Sequence, residues 1–324
     1  MNTFIEATER NRIISFLIYT FTISFGLYFL FLYSPKDRDY YTSFSETRQL
    51  IQNIVYNIIL ISPAIGVIIT RLTTGEGFKN LWIKPNFKGN VKYYLMAWLG
   101  SVLFVAIGTL VYYVFVYNPN VTNFLEERNS LFGGDTSLEF EYNIETIDIL
   151  VTLFSALSGP ATHLFICLSQ EWAWCGYLLP KMAKRFSPIP LILINGLICG
   201  LWYAPSMVMG NCYGTEYAGF PIVGILAMCV HCIAVGALQY YLCIKTQSCI
   251  PAILIAGVIR GSYLNSLYFK LEVIETNKFL GPDSYGLIGG CGFIIAAIII
   301  AIVWHRNYKK ETLTTHSENK IIIE

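Results

Sequence analysis

Eight apolar runs, at about 13–33, 50–70, 93–117, 147–169, 189–209, 220–244, 249–268 and 286–304, alternate with shorter polar segments along the chain. Each is close to the ~20 residues with which an α-helix crosses the ~30 Å hydrocarbon core of a bilayer. The pattern predicts an all-α fold: a polytopic integral membrane protein with eight transmembrane helices. One membrane domain would cover 13–308, between a short N-terminus (1–12) and a polar, frayed tail (309–324). The first run exceeds the 7–15 residues of a signal-peptide core and ends at Tyr33-Ser34-Pro35-Lys36 without a small-residue cleavage site, so it reads as a retained span. The fourth run continues to Pro180, and Gly159-Pro160 inside it predicts a kink.

The flanking charges assign the two sides. Of the 22 lysines and arginines, 15 fall in the N-terminus, the second, fourth and sixth loops and the C-terminus. Six fall in the alternate loops, and Arg260 alone lies inside a span. The positive-inside rule then places both termini in the cytoplasm, as an even number of spans requires. The third loop would be external and is acidic (Glu126, Glu127, Asp135, Glu139, Glu141, Glu145); it contains an Asn120-Val121-Thr122 triplet that fits a glycosylation sequon. In the second loop, Arg71, Lys79, Lys84, Lys88 and Lys92 alternate with Phe78, Leu81, Trp82 and Phe87. That composition suits headgroup depth, with cations on anionic lipid.

Composition agrees with the pattern: 55% of residues are hydrophobic and 13% charged, with a net charge of +1, against about 25% charged in a soluble domain. Near-neutrality and the lack of a basic block exclude a nucleic-acid partner; membrane lipid is the expected surrounding. Eight of the nine cysteines fall in apolar runs, where a thiol behaves as a small hydrophobe, and Cys212 falls in a loop. Cys229-Val230-His231-Cys232 has CxxC spacing, but without a second cluster it cannot complete a four-ligand zinc site. His163 and His231 read as helix-packing residues.

Polar groups inside spans are costly and face a bundle interior where they find partners, which singles out Gln170-Glu171-Trp172-Ala173-Trp174-Cys175-Gly176-Tyr177-Leu178-Leu179-Pro180. This stretch resembles the first motif of the CPBP intramembrane protease family, also called the Abi or CAAX-protease-like family. That motif reads Glu-Glu-x-x-x-Arg followed by Gly-Tyr-Leu-Leu-Pro. The second Glu (Glu171) and the tail from Gly176 to Pro180 are kept; the first Glu is Gln170 and the Arg is Cys175. Leu-Ile-Cys-Gly-Leu-Trp-Tyr-Ala-Pro (Leu197 to Pro205) resembles a second signature, Phe-x-x-x-His, with Cys199 and Tyr203 at its two positions. The sequence after Pro251-Ala252-Ile253-Leu254 resembles a third, His-x-x-x-Asn, with Ala256 and Arg260 there. The resemblance covers about 50–268.

The resemblance implies an intramembrane metalloendopeptidase in which Glu and His activate water, while a second His and an Asn stabilise the oxyanion or help hold a metal (zinc or none). Family members are associated with processing of prenylated proteins and, in bacteria, with immunity to bacteriocins. In this chain an amide at 170 cannot take a proton, Ala256 offers no ligand, and Tyr203 is a poor zinc ligand. No metal or other cofactor is therefore expected. The expected function is that of a pseudoprotease of a bacterial plasma membrane, binding a peptide, a lipidated peptide or a membrane partner. One alternative is a rebuilt endopeptidase with Glu171 as base and Tyr203 and Arg260 on the oxyanion; a second is a transporter. At 1.5 Å per residue, Glu171 and Arg260 lie roughly 15 and 16 Å from the same membrane edge, which predicts a Glu171–Arg260 ion pair.

Overall fold

The computed structural model describes residues 2–32, 46–115, 144–270, 279–281 and 283–321, and among them there is no β-strand. The acidic stretch from Glu126 to Glu141 and the Asn120 triplet lie outside the described residues. The apolar runs become α1 (Asn2–Leu27), which continues in a π-turn over Tyr28–Leu32, then α2 (Glu46–Thr73), α3 (Val91–Leu95) and α4 (Ser101–Phe115), these last two joined by a π-segment at Met96–Gly100. They are followed by α5 (Ile144–Thr162), α6 (Leu164–Glu171), a π-helical segment over Trp172–Leu178, α7 (Leu179–Ala183), α8 (Pro188–Trp202) and α9 (Ala204–Val208). The last three are α10 (Ile222–Thr246), α11 (Ile250–Lys270) and α12 (Cys291–Ile321). Among the described residues, five helical stretches are long and apolar enough to cross a membrane: Ala7–Leu32, Leu50–Thr73, Val91–Tyr112, Ile222–Thr246 and Cys291–Lys310. The runs expected at 189–209 and 249–268 appear as shorter apolar helices, Pro188–Trp202 and Ile250–Ser262.

Two local expectations are corrected. The fourth run passes through Pro160 without ending and breaks three residues later, at His163, whose backbone (φ −107°, ψ 15°) leaves the helix. The tail beyond Lys309 is not frayed at its start: α12 continues to Ile321, because Lys and Glu are good helix formers and extend a helix already nucleated in the span.

The core lies where α6, the π-segment, α8, α10 and α11 meet, closed on one side by α1 and α2. Glycines set the closest approaches. A Cβ on Gly159 or Gly257 would overlap the backbone of the facing helix, so α5 and α11 cross with main chains in contact. Gly196 and Gly200 of α8 pack in the same way on Ile233 and Cys229 of α10. Such small-residue seams are how membrane helices associate where apolar burial gives no net drive. Gly257→Ala is expected to lower stability by about 1–3 kcal/mol, read as a lower melting midpoint in detergent. Gly26→Ala, whose Cβ would enter open space, serves as the neutral comparison, and equal midpoints for the two variants would contradict the seam.

The second loop is also held by the protein itself. Arg71 is 3% exposed and donates to the carbonyls of Gly77 (2.6 Å) and Lys79 (3.2 Å). Cys249 N–H donates to the Trp82 carbonyl at 2.7 Å, and the Asn86 amide to the Thr246 carbonyl at 2.8 Å. The loop is thus fastened over the α10–α11 turn, while Phe78 and Phe87 stay exposed.

Candidate functional site

Gln170 and Glu171 end α6, both buried, at 3% and 7% exposure. Successive helical residues point about 100° apart, and this separates their roles. Gln170 faces α2, α8 and α11. Its Nε2 donates to the Leu60 carbonyl at 3.1 Å, and its Oε1 accepts from Tyr203 Oη at 3.1 Å and from Arg260 Nη2 at 2.8 Å. Glu171 points to a neighbouring face, where it accepts from the Cys175 thiol at 3.4 Å, one turn further along the chain, and meets the Gln239 amide of α10, while staying within electrostatic range of Arg260.

The expected Glu171–Arg260 ion pair is therefore not formed. The ion pairs among the described residues all fall within Glu9, Arg12, Arg71, Glu76 and Lys181. Depth counting placed the two residues at one level but carries no angular information, and the helical offset gives Arg260 to position 170. Three of the six motif positions, Gln170, Tyr203 and Arg260, are brought together although each differs from the residue the resemblance implies. Cys175 stays with Glu171. Ala256, one turn before Arg260 on α11, contributes only a methyl group packed against the core.

Local structure aims these side chains. The break at His163 starts α6 afresh, and the π-segment shifts the helical register after Glu171, placing a buried run from Ala173 to Leu178 against the core. A π-bulge at such a position is frequent at functional sites. Tyr203 is the hinge between α8 and α9, where the chain leaves α-helical bonding. Trp202 packs on Tyr203 (4.7 Å between ring centroids) and on Trp174 (5.8 Å), and Phe16 of α1 meets Trp174 at 5.7 Å. The tryptophans therefore form a packed aromatic wall beside the polar trio. The indole N–H groups of Trp172, Trp174 and Trp202 are buried without a hydrogen-bond partner.

The two helix histidines are bonded to main-chain carbonyls: His163 Nδ1 lies 3.3 Å from Gly159 O, and His231 Nδ1 lies 2.9 Å from Ser284 O. His231 thus turns away from the CxxC cysteines that flank it in sequence. All nine cysteines are free thiols. The donor set does not fit zinc. A catalytic zinc takes three protein ligands from Cys, His, Asp or Glu, whereas the converging groups here are an amide, a phenol and a guanidinium. Among the described residues no three His, Cys, Asp or Glu side chains are grouped to hold an ion.

Sequence reasoning missed a second polar centre. Lys181 of α7 reaches Glu76 (2.5 Å) and Glu9 of α1 (3.0 Å), and Tyr177 donates to Glu76 at 2.8 Å. Arg12 pairs with Glu9 at 2.7 Å, and Arg12 and Arg71 each approach Glu76 at 3.9 Å. The Arg71 guanidinium and the Lys181 ammonium also lie over the Tyr177 ring, at 5.0 and 4.6 Å. This network binds the start of α1 and the end of α2 to the helix carrying Gln170. The only signal in the sequence was the i,i+4 placement of Tyr177 and Lys181 within and just after the motif tail; Glu9 and Arg12 looked like terminal charges.

Residues 152–261 match the family model described as Type II CAAX prenyl endopeptidase Rce1-like. The chain matches no curated protein.

Proposed function

From the premise that the stretch bearing Gln170, Tyr203 and Arg260 is CAAX-protease-like, we propose that this protein is a non-catalytic member of that family. It keeps a membrane scaffold and uses the former cleft to bind a peptide, a lipidated peptide or a membrane partner. The observation that carries this reading is the bonding of Gln170. Its amide stands where the resemblance implies a carboxylate, and both its ends are committed, Oε1 to two donors and Nε2 to a carbonyl. A general base must titrate and lie within hydrogen-bond reach of its water, and an amide has no proton to exchange. Glu171 can titrate, but its hydrogen bond is to Cys175 and none runs to Tyr203 or Arg260, so the two oxyanion donors of a rebuilt site are bonded to the amide and not to the base.

The same reading takes in the whole membrane domain. Eight spans over 13–308 and both termini in the cytoplasm are read from the apolar runs and the charge bias, and a bacterial plasma membrane from the richness in Ile, Asn, Lys and Tyr. Among the described residues, five long apolar helices and two shorter ones coincide with seven of those eight runs. The purified protein in nanodiscs, given prenylated and unmodified peptides, is expected to cleave neither above the level of Glu171→Gln. Turnover lost in Glu171→Gln would establish the rebuilt endopeptidase instead.

A further inference from the structure

Arg260 is half-buried in the apolar helix α11, and its Nη2 donates to a neutral amide, Gln170 Oε1 at 2.8 Å. It takes part in no ion pair among the described residues. Around the guanidinium stand phenols and a thiol (Tyr203, Tyr285, Tyr56 and Cys167), none of them an anion at neutral pH; the Glu171 carboxylate lies within electrostatic range of it but is hydrogen-bonded to Cys175 and makes no ion pair with Arg260. A cation at this depth in a membrane bundle ordinarily pairs directly with a counter-charge, and here that direct contact is made by a neutral amide. A guanidinium has five N–H groups and two edges that can grip a carboxylate with paired bonds. One Nη2 hydrogen given to Gln170 interrupts one edge and leaves the other.

We infer that Arg260 is the anchor for the carboxylate of an amphiphilic ligand, with Gln170 and Tyr203 fixing its orientation; this rests on the non-catalytic binding role proposed above. Three features select that chemistry. A singly charged group balances a single guanidinium, whereas a dianionic phosphate would add surplus negative charge near Glu171. A planar carboxylate matches the geometry of a guanidinium edge, here one that Gln170 does not occupy and that the weakly bonding Cys167 thiol approaches. The walls on both sides, Trp174 and Trp202 toward α1 and Tyr203 and Tyr285 around the cation, are aromatic and suit an apolar body behind the charge. Two sources carry such a group: a free fatty acid, and the C-terminal carboxylate of an apolar peptide.

Trp202, packed on Tyr203 at 4.7 Å, supplies the reporter. Tryptophan fluorescence of the full chain in neutral-lipid nanodiscs would be titrated with oleate against oleamide, and with an apolar peptide bearing a free C-terminus against its C-terminal amide. One carboxylate is expected to bind at least about tenfold more tightly than its neutral counterpart, and the pair that shows the difference identifies the source. Arg260→Gln should abolish the preference and Arg260→Lys should keep part of it. Gln170→Glu should abolish it too, by placing an internal carboxylate on Arg260, while leaving the melting midpoint unchanged or raised. Equal binding within both pairs, or a preference that survives Arg260→Gln in a folded protein, overturns the assignment. These results do not depend on the cleavage assay: turnover would refute the non-catalytic role, whereas absent selectivity with absent turnover would refute only the carboxylate anchor.

Discussion

Replacing Gln170 and Arg260 together by leucine is expected to cost less stability than the sum of the two single replacements. In Gln170→Leu alone, Tyr203 Oη and Arg260 Nη2 lose their common acceptor and the Leu60 carbonyl loses its donor. An orphaned buried polar group costs about 1–3 kcal/mol, more when it is charged, so the single variant should lose about 3 kcal/mol or more. Removing Arg260 as well takes away the charged orphan, and the coupling should be about 1–3 kcal/mol. The matching cycle on Glu171→Gln and Arg260→Leu should couple more weakly than the first, since the two groups interact through space but share no hydrogen bond. Chemical denaturation in mixed micelles measures both cycles. Strong coupling in the second and none in the first would restore the ion pair expected from helix depth and remove the basis for Gln170 as the centre of the site.

Glu76→Gln is expected to be the most damaging single change at the opposite polar centre. Among the described residues, Glu76 alone is touched by Tyr177, Lys181, Arg12 and Arg71 alike. Losing its charge leaves Arg12 and Lys181 sharing Glu9, and leaves Arg71 bonded to main-chain carbonyls, with Arg71 and Lys181 at 3% and 8% exposure. Breaking a buried ion pair from one side costs about 3–5 kcal/mol; because Glu76 keeps 13% side-chain exposure, about 2–4 kcal/mol is the expected loss. Glu9→Gln touches fewer partners and should lose less than half as much. Equal melting midpoints for the two variants would mean that Lys181 is held by lipid phosphate and not by Glu76.

The order of apolar runs was legible because membrane helices must satisfy their backbone internally, so segment length and hydropathy define them with little interference. The three motif positions were legible as places, and two of the three partners of Gln170 come from them. What the sequence did not carry was azimuth. Whether position 170 or 171 faces Arg260 depends on where α6 begins, and that start is set by a break at His163, not at Gly159-Pro160 where local rules pointed. The Glu76 network was invisible for a related reason: its members come from α1, the end of α2 and α7, and long-range pairing leaves no local periodicity. Leu60 could not have been found at all, since it contributes a main-chain carbonyl.

The neutral character of Gln170 has an electrical consequence. A guanidinium with no opposite charge bonded to it remains a net charge inside the bilayer, where moving one elementary charge across the full membrane changes the energy by about 2.3 kcal/mol per 100 mV. Any displacement of α11 along the membrane normal therefore works with or against the cell's voltage, and an interior-negative potential favours sliding Arg260 toward the cytoplasm. An acid at position 170 would have tied that charge to α6 by an ion pair; the amide leaves α11 as a charged element held in the transmembrane field.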